Sequence, residues 1–270
     1  MIISDGGTVG GGCHSERVEL RPGYREWAPP AALRPAVSCL WTSVAPSGGQ
    51  TLVLPDACAD LIWQAGTGAF VAGPDTGPVP AVLPASTVLV GVRFGPGSGG
   101  PALGLPLTEL RDQRVDLNWL WTDADAIADE LAACSTLRQA AAVLEDRVLR
   151  RVPNVKEPDP VVVAAVGLWR AGSAPADIAG LAEWAGISER QLHRRFVQAV
   201  GYGPKLLQRV LRFQAFLAVC SSPVVGLAEL AFRAGYADQA HLSRETRILS
   251  GRTPAELRAA RLRVRNVQDP

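Results

Sequence analysis

Ile178-Ala-Gly-Leu-Ala-Glu-Trp-Ala-Gly-Ile-Ser-Glu-Arg-Gln-Leu-His-Arg-Arg-Phe196 and Leu227-Ala-Glu-Leu-Ala-Phe-Arg-Ala-Gly-Tyr-Ala-Asp-Gln-Ala-His-Leu-Ser-Arg244 are two copies of one pattern. Each reads as a short helix, a glycine turn and a second helix. In the first copy Ile178, Leu181 and Ala182 fall at helical spacing, and Ala182 is small where two helices approach closely. Gly186 takes the chain out of that helix, because glycine adopts the left-handed conformation at little cost. Ser188 is a good N-cap for the second helix, whose Leu192 and Phe196, four apart, form a buried stripe. Arg190, Gln191, His193, Arg194 and Arg195 then face outward as a basic surface rich in hydrogen-bond donors. The second copy repeats this with Leu227, Leu230 and Ala231, then Gly235, then a helix from about Asp238 with Leu242 inward. Its outward residues are Asp238, Gln239, His241, Ser243 and Arg244. Asp238 reads as a helix cap.

Between the copies, Pro204 to Cys220 carries Leu206, Leu207, Val210, Leu211, Phe213, Phe216 and Leu217, which suits a long helix buried on most sides. Two helix-turn-helix units on such a spine resemble the DNA-binding domain of the AraC/XylS family of transcription regulators. The resemblance spans about Val161 to Arg265. It is carried by Leu181-Ala182, Gly186, Ser188, Leu192, Arg195-Phe196, Gly201 with Pro204, Ala231, Gly235-Tyr236, Asp238-Gln239, Leu242-Ser243-Arg244, Gly251, Thr253-Pro254 and Leu257-Arg258. It implies second helices set in successive major-groove segments about one helical turn, ~34 Å, apart. It points Arg190, Gln191, His193, Arg194, Gln239, His241 and Arg244 at DNA, where arginine's planar fork suits bidentate contact with guanine. Ala240 fills a slot that is often polar in the family, so the second half-site is expected to be read less stringently. Thr246 stands where the family usually has an aromatic, and Ile248 and Leu249 where it has basic residues. One of those two aliphatics is expected to pack in the aromatic's place.

Composition agrees with a basic module on an acidic body. From Asp177 to Arg265 there are 14 basic residues against 7 acidic ones, while the whole chain of 270 residues carries a net charge of only +1. One cationic third is what phosphate binding by one domain predicts. With 47% hydrophobic residues the chain fills two cores. No signal peptide or bilayer-length apolar run is read, so a cytoplasmic protein without membrane contact is expected. Cys13, Cys39, Cys58, Cys134 and Cys220 are scattered, with no Cys-x-x-Cys, and the histidines are His14, His193 and His241. That spacing offers no metal site, no cofactor site and no Ser-His-Asp arrangement, so no catalytic residue is assigned.

The N-terminal part reads as β. Residues Met1 to His14 are a Gly-rich lead-in read as mobile. Short strands are expected at Arg17–Leu20, Val37–Val44, Thr51–Leu54, Ala59–Trp63, Ala69–Ala72 and Thr87–Phe94, implying a small barrel or sandwich. Leu54–Trp63, Ala72–Asp75 and Gly91–Gly97 resemble the N-terminal sensor domain of one AraC-type subgroup. Such a domain, in the family, is a cupin-like barrel that binds a small effector or mediates dimerisation. Trp41, Cys58, Trp63, Phe70 and Phe94 are the candidate effector residues. Cys58 lies between Asp56 and Asp60, carboxylates that raise a thiol's pKa and argue against a reactive thiolate.

Gly95 to Leu105 reads as a flexible apolar loop leading into a helical turn at Pro106–Arg111. Asp123 caps a helix through about Ala133, and Thr136 starts another to Val152. Leu137, Ala141, Leu144 and Val148 form a seam on that last helix, serving either a second subunit or the barrel itself. Pro153 to Pro160 has the composition of an interdomain linker.

The expected protein is therefore α+β with two domains. Residues 1–152 form the small β-barrel or cupin-like effector or dimerisation domain with its helices, 153–160 the linker, and 161–265 an all-α domain of two helix-turn-helix units joined by a long helix. The function implied is sequence-specific transcription regulation under a small-molecule effector. Double-stranded DNA, RNA polymerase, the effector and a second copy are the implied partners. The rival readings are an enzymatic N-terminal domain fused to DNA binding, and a sensor fold that serves only dimerisation.

Overall fold

The computed structural model describes residues 2–4, 19–21, 23–45, 48–152, 157–175, 177–222 and 225–268. Its strands are β1 (Ile2–Ser4), β2 (Glu19–Arg21), β3 (Tyr24–Trp27), β4 (Val37–Val44), β5 (Gly49–Val53), β6 (Ala59–Gln64), β7 (Gly68–Ala72), β8 (Val79–Leu83), β9 (Val88–Phe94) and β10 (Arg114–Asp116). Its helices are α1 (Gly99–Leu103), α2 (Ala124–Ala132), α3 (Leu137–Arg151), α4 (Pro160–Arg170), α5 (Ile178–Trp184), α6 (Glu189–Val200), α7 (Pro204–Val219), α8 (Leu227–Arg233), α9 (Gln239–Ser250) and α10 (Pro254–Gln268).

The strands form two open antiparallel sheets, one in the order β10-β7-β6-β9-β4-β3-β2 and one in the order β1-β5-β8. Neither closes on itself, so of the small barrel or sandwich expected the domain is a sheet-rich unit whose barrel is not closed. The ends of the large sheet suit this: β2 and β10 are each three residues long, and β10 carries Arg114 and Asp116, which discourages further pairing there. Ile2–Ser4 pairs with β5 although the first fourteen residues read as a mobile lead-in; residues 5–14 lie outside the described set, as do residues 17 and 18 of the first expected strand. The short strands β3, β8 and β10 are additions to the expected pattern.

Alternation divides the large sheet into two faces. Leu61 of β6 lies opposite Val92 of β9 and Trp63 opposite Val90, and these belong to a core with Leu40, Phe94, Ile127 and Leu144. On the other face Asp60 pairs with Arg93 and Ile62 with Gly91. Gly91 sits in the strongest strand because the Trp41 indole lies over it; a Cβ there would stand 2.3 Å from the ring. Helix α3 packs on β9 and β4 and buries Ala141, Leu144 and Val148, so its seam serves its own domain. It begins with a capping box between Thr136 and Gln139. Asp123 occupies the N-cap position of α2, but its carboxylate pairs with Arg151 and does not close the helix end. Gly99 to Leu103, read as loop, is the buried helix α1, because Ala102 and Leu103 fill the core beside Phe94.

The C-terminal helices share one core around α7, whose Leu207, Val210, Phe213, Phe216 and Leu217 are buried. Leu181 and Ala182 of α5, Leu192 and Phe196 of α6, Leu230 and Ala231 of α8, and Leu242 of α9 meet it there. Gly186 and Gly235 take φ of +65° and +78°, the left-handed turns between the paired helices. In α9 the two aliphatic departures separate: Leu249 is fully buried beside Thr246, while Ile248 is 57% exposed. Leu249→Ala should therefore lower stability by about 2–5 kcal/mol, and Ile248→Ala should stay within about 0.5 kcal/mol, as read by denaturant melts.

Candidate nucleic-acid interface

Helices α6 and α9 present the candidate surface, and each is set by its own first turn. Ser188 Oγ accepts from the Gln191 N–H at 3.3 Å, and Gln191 Oε1 accepts from the Ser188 N–H at 2.9 Å. Gln191 thus closes the start of α6, and its side chain is engaged within the protein. Asp238 caps α9, its Oδ1 accepting from the His241 N–H at 2.6 Å, as the sequence suggested. Anionic caps also suit the partial positive charge of a helix N-terminus.

The remaining outward residues divide by what holds them. His193 leans on the turn after α6, where a Cβ on Gly203 would stand 2.7 Å from its Nε2. His241 meets the Tyr236 ring edge-on at 5.3 Å between centroids. Arg195 points back to Asp159, the cap of α4, at 3.4 Å. Arg190 and Arg194, four apart on α6, are exposed, and no ion pair or hydrogen bond engages either side chain among the described residues. The same holds for the exposed side chains of Gln239 and Arg244 on α9. The geometry therefore separates exposed side chains not engaged within the described residues, Arg190, Arg194, Gln239 and Arg244, from side chains in contact with the protein's own turns and rings, Gln191, His193 and His241. Lys205 and Arg247, also exposed, add positive charge that the repeat pattern does not single out.

Helix α7 ties the two units together. Arg209 pairs with Glu245 of α9 at 2.6 Å, and the Arg212 guanidinium lies 5.5 Å from the centre of the Tyr236 ring. These contacts are partly buried and cross between helices, which fixes orientation more than it adds net stability.

The five candidate effector residues do not converge. Trp63 and Phe94 belong to the core under α2 and α3, whereas Trp41 packs with Cys39 and Leu89 on the opposite sheet face. Phe70 lies opposite Ile62 on the Trp41 side. Cys58 is buried at the turn before β6, its N–H donating to Asp56 Oδ1 at 2.9 Å. Sequence reasoning passed over the polar group on the Trp41 face. Arg93 lies 3.1 Å from Asp60, 3.8 Å from Asp56 and 3.7 Å from Glu26, and the Trp41 indole N–H donates to Asp60 at 2.9 Å. The available signal was strand alternation, which sets Asp60 and Arg93 on one face.

Among the described residues no group of three His, Cys, Asp or Glu side chains is placed to hold a metal ion, and no helix is long and apolar enough to cross a membrane.

A family described as a helix-turn-helix domain matches residues 181–260, and a domain of unknown function (DUF6597) matches residues 25–116. No curated protein matches the chain. Among solved structures, a transcriptional regulator with an AraC-type DNA-binding domain from Chromobacterium violaceum is 28% identical, covering 38% of this chain and 92% of that one, with a TM-score of 0.35. The DNA-binding domain of AdpA, a global transcriptional factor in complex with a target DNA, is 28% identical over 40% of this chain and 94% of that one, again at 0.35. ToxT from Vibrio cholerae is 8% identical, covers 82% of this chain and 98% of that one, and has a TM-score of 0.48. At such scores the overlays are likenesses alone. The family match spans both helix-turn-helix units on the one central helix, so residues 181–260 form a helix-turn-helix domain.

Arg194→Ala should weaken DNA binding by about 1–3 kcal/mol and relax preference at one base position. Ser188→Ala should cost about 0.5–2 kcal/mol of stability with the base preference unchanged. Binding-site selection and melts on both variants separate the two roles. Burial, then the Asp56 carboxylate, pushes the pKa of the Cys58 thiol well above its ordinary value, and burial raises that of Cys220. Both thiols should resist alkylation at pH 8 in the native protein and react on unfolding.

Proposed function

We propose that the chain is a sequence-specific DNA-binding transcription regulator whose N-terminal domain tunes binding through a small-molecule effector. The observation that carries this reading is the pair of exposed cationic helices, α6 and α9, held on the buried helix α7 within a matched helix-turn-helix domain. Arg190 and Arg194 read the first half-site and Gln239 and Arg244 the second, with Gln191, His193 and His241 supporting helix placement. Ala240 leaves the second site with fewer polar readers. Unsaturated fatty acid is bound by one structure of ToxT, the low-identity neighbour, and a small molecule acting through the sheet-rich domain is the corresponding step here. The protein acts without catalysis, in the cytoplasm, and contacts RNA polymerase at the promoter. Subunit pairing, where it occurs, uses a surface other than the α3 seam, which is buried in its own domain.

Selection of bound fragments from genomic DNA should enrich one motif long enough for two successive major-groove contacts, and failure to enrich any motif contradicts specific recognition. Affinity for that motif should fall steeply with salt, by roughly 10-fold or more between 50 and 200 mM, as several phosphate contacts release their counterions. A salt-independent affinity in gel shifts contradicts the interface.

A further inference from the structure

The turn between β5 and β6, Leu54-Pro-Asp-Ala-Cys58, belongs to the sensor domain by sequence and to the DNA-binding domain by packing. Leu54 and Ala57 are fully buried in the same core as Val162, Phe196, Val210 and Phe213. Gln214 of α7 donates through Nε2 to the Pro55 carbonyl at 2.6 Å. Ala57 holds φ at +66°, a conformation that costs a non-glycine residue energy and persists where the surroundings over-determine it. Here the shared core and the Asp56 hydrogen bond to the Cys58 N–H supply that determination.

The other end of the same turn enters the polar group on the Trp41 face of the large sheet. Asp56 faces Arg93, Arg93 pairs with Asp60, and Asp60 accepts from the Trp41 indole. A short run of contacts therefore joins Trp41, on the face of the large sheet away from α2 and α3, to Gln214 on α7. Earlier on α7, Arg209 and Arg212 hold α9 and Tyr236 of the second unit. The first unit is engaged as well. Gly201, at the end of α6, approaches the Leu107 carbonyl so closely that a Cβ would stand 2.9 Å from it. The neighbouring Tyr202 hydroxyl is buried at this seam with no hydrogen-bond partner among the described residues, a group that gains by any rearrangement bringing it an acceptor.

We propose that the turn Leu54–Cys58 couples the domains, so that a change in the Trp41–Asp60–Arg93 group alters the set of α7 and, through it, DNA affinity. The DNA half of this statement rests on the function proposed above, while the coupling to α7 stands on its own. Coupling of this kind is a free energy between two sites and is measured as an interaction between perturbations at each.

The test uses the full chain without DNA. Trp41→Phe removes the indole donor to Asp60, and Gln214→Leu removes the α7 contact at similar volume. Hydrogen exchange of the α7 amides is measured in the wild type, both single variants and the double variant. Trp41→Phe should speed exchange in α7 about 5-fold when Gln214 is present and leave it nearly unchanged in the Gln214→Leu background. No response to Trp41→Phe, or an equal response in both backgrounds, overturns the coupling. Should Trp41→Phe not fold, Asp60→Asn perturbs the same group and is read in the same way. Gel shifts on the selected motif then show whether the coupled change alters affinity; coupled exchange with unaltered affinity overturns the regulatory half. Coupled exchange in a protein that selects no DNA motif contradicts the proposed function and leaves the coupling intact.

Discussion

The burial of α7 is the constraint on which the C-terminal domain depends. Phe213 and Phe216, with Leu207, Val210 and Leu217, are buried in one core that receives helices from both helix-turn-helix units. A helix so enclosed leaves its neighbours little freedom, because a close-packed interior transmits a shift instead of absorbing it. The two outward helices are therefore presented at one relative placement. For a reader of DNA this replaces the fixed spacing that a symmetric dimer otherwise supplies.

Capping and glycine chemistry made much of this domain legible in the sequence. Ser188, Asp238, Gly186 and Gly235 each act locally, and each appears where local chemistry put it. The choice between Ile248 and Leu249 was open, because it depends on which side of α9 meets the core, and Leu249 takes that place. The same limit explains the interface. Exposure of Gln191 and His193 follows from helical spacing, but their engagement by Ser188 and by the turn at Gly203 is a matter of side-chain geometry.

The N-terminal domain was legible strand by strand more than in its arrangement. Val37–Val44 is a strand with the expected bounds, and Ala59–Trp63 lies within β6. What a one-dimensional pattern lacks is which strand ends the sheet, so the open edges at β2 and β10 emerge only in three dimensions. The aromatic candidates were grouped by residue type, and the sheet places Trp41 and Trp63 on opposite faces. The turn Leu54–Cys58 was hidden for another reason: its partners on α4, α6 and α7 lie more than a hundred residues away, as Gln214 with Pro55 illustrates.

Placement of α6 and α9 by one rigid spine is most directly tested by moving the DNA contacts apart. Gel shifts would compare the selected motif with the same motif carrying five inserted base pairs between its two contacts, about half a helical turn. Binding to the lengthened site should fall to the level of a fragment carrying one contact alone. Equal affinity for the two spacings would contradict a fixed relation between the reading helices.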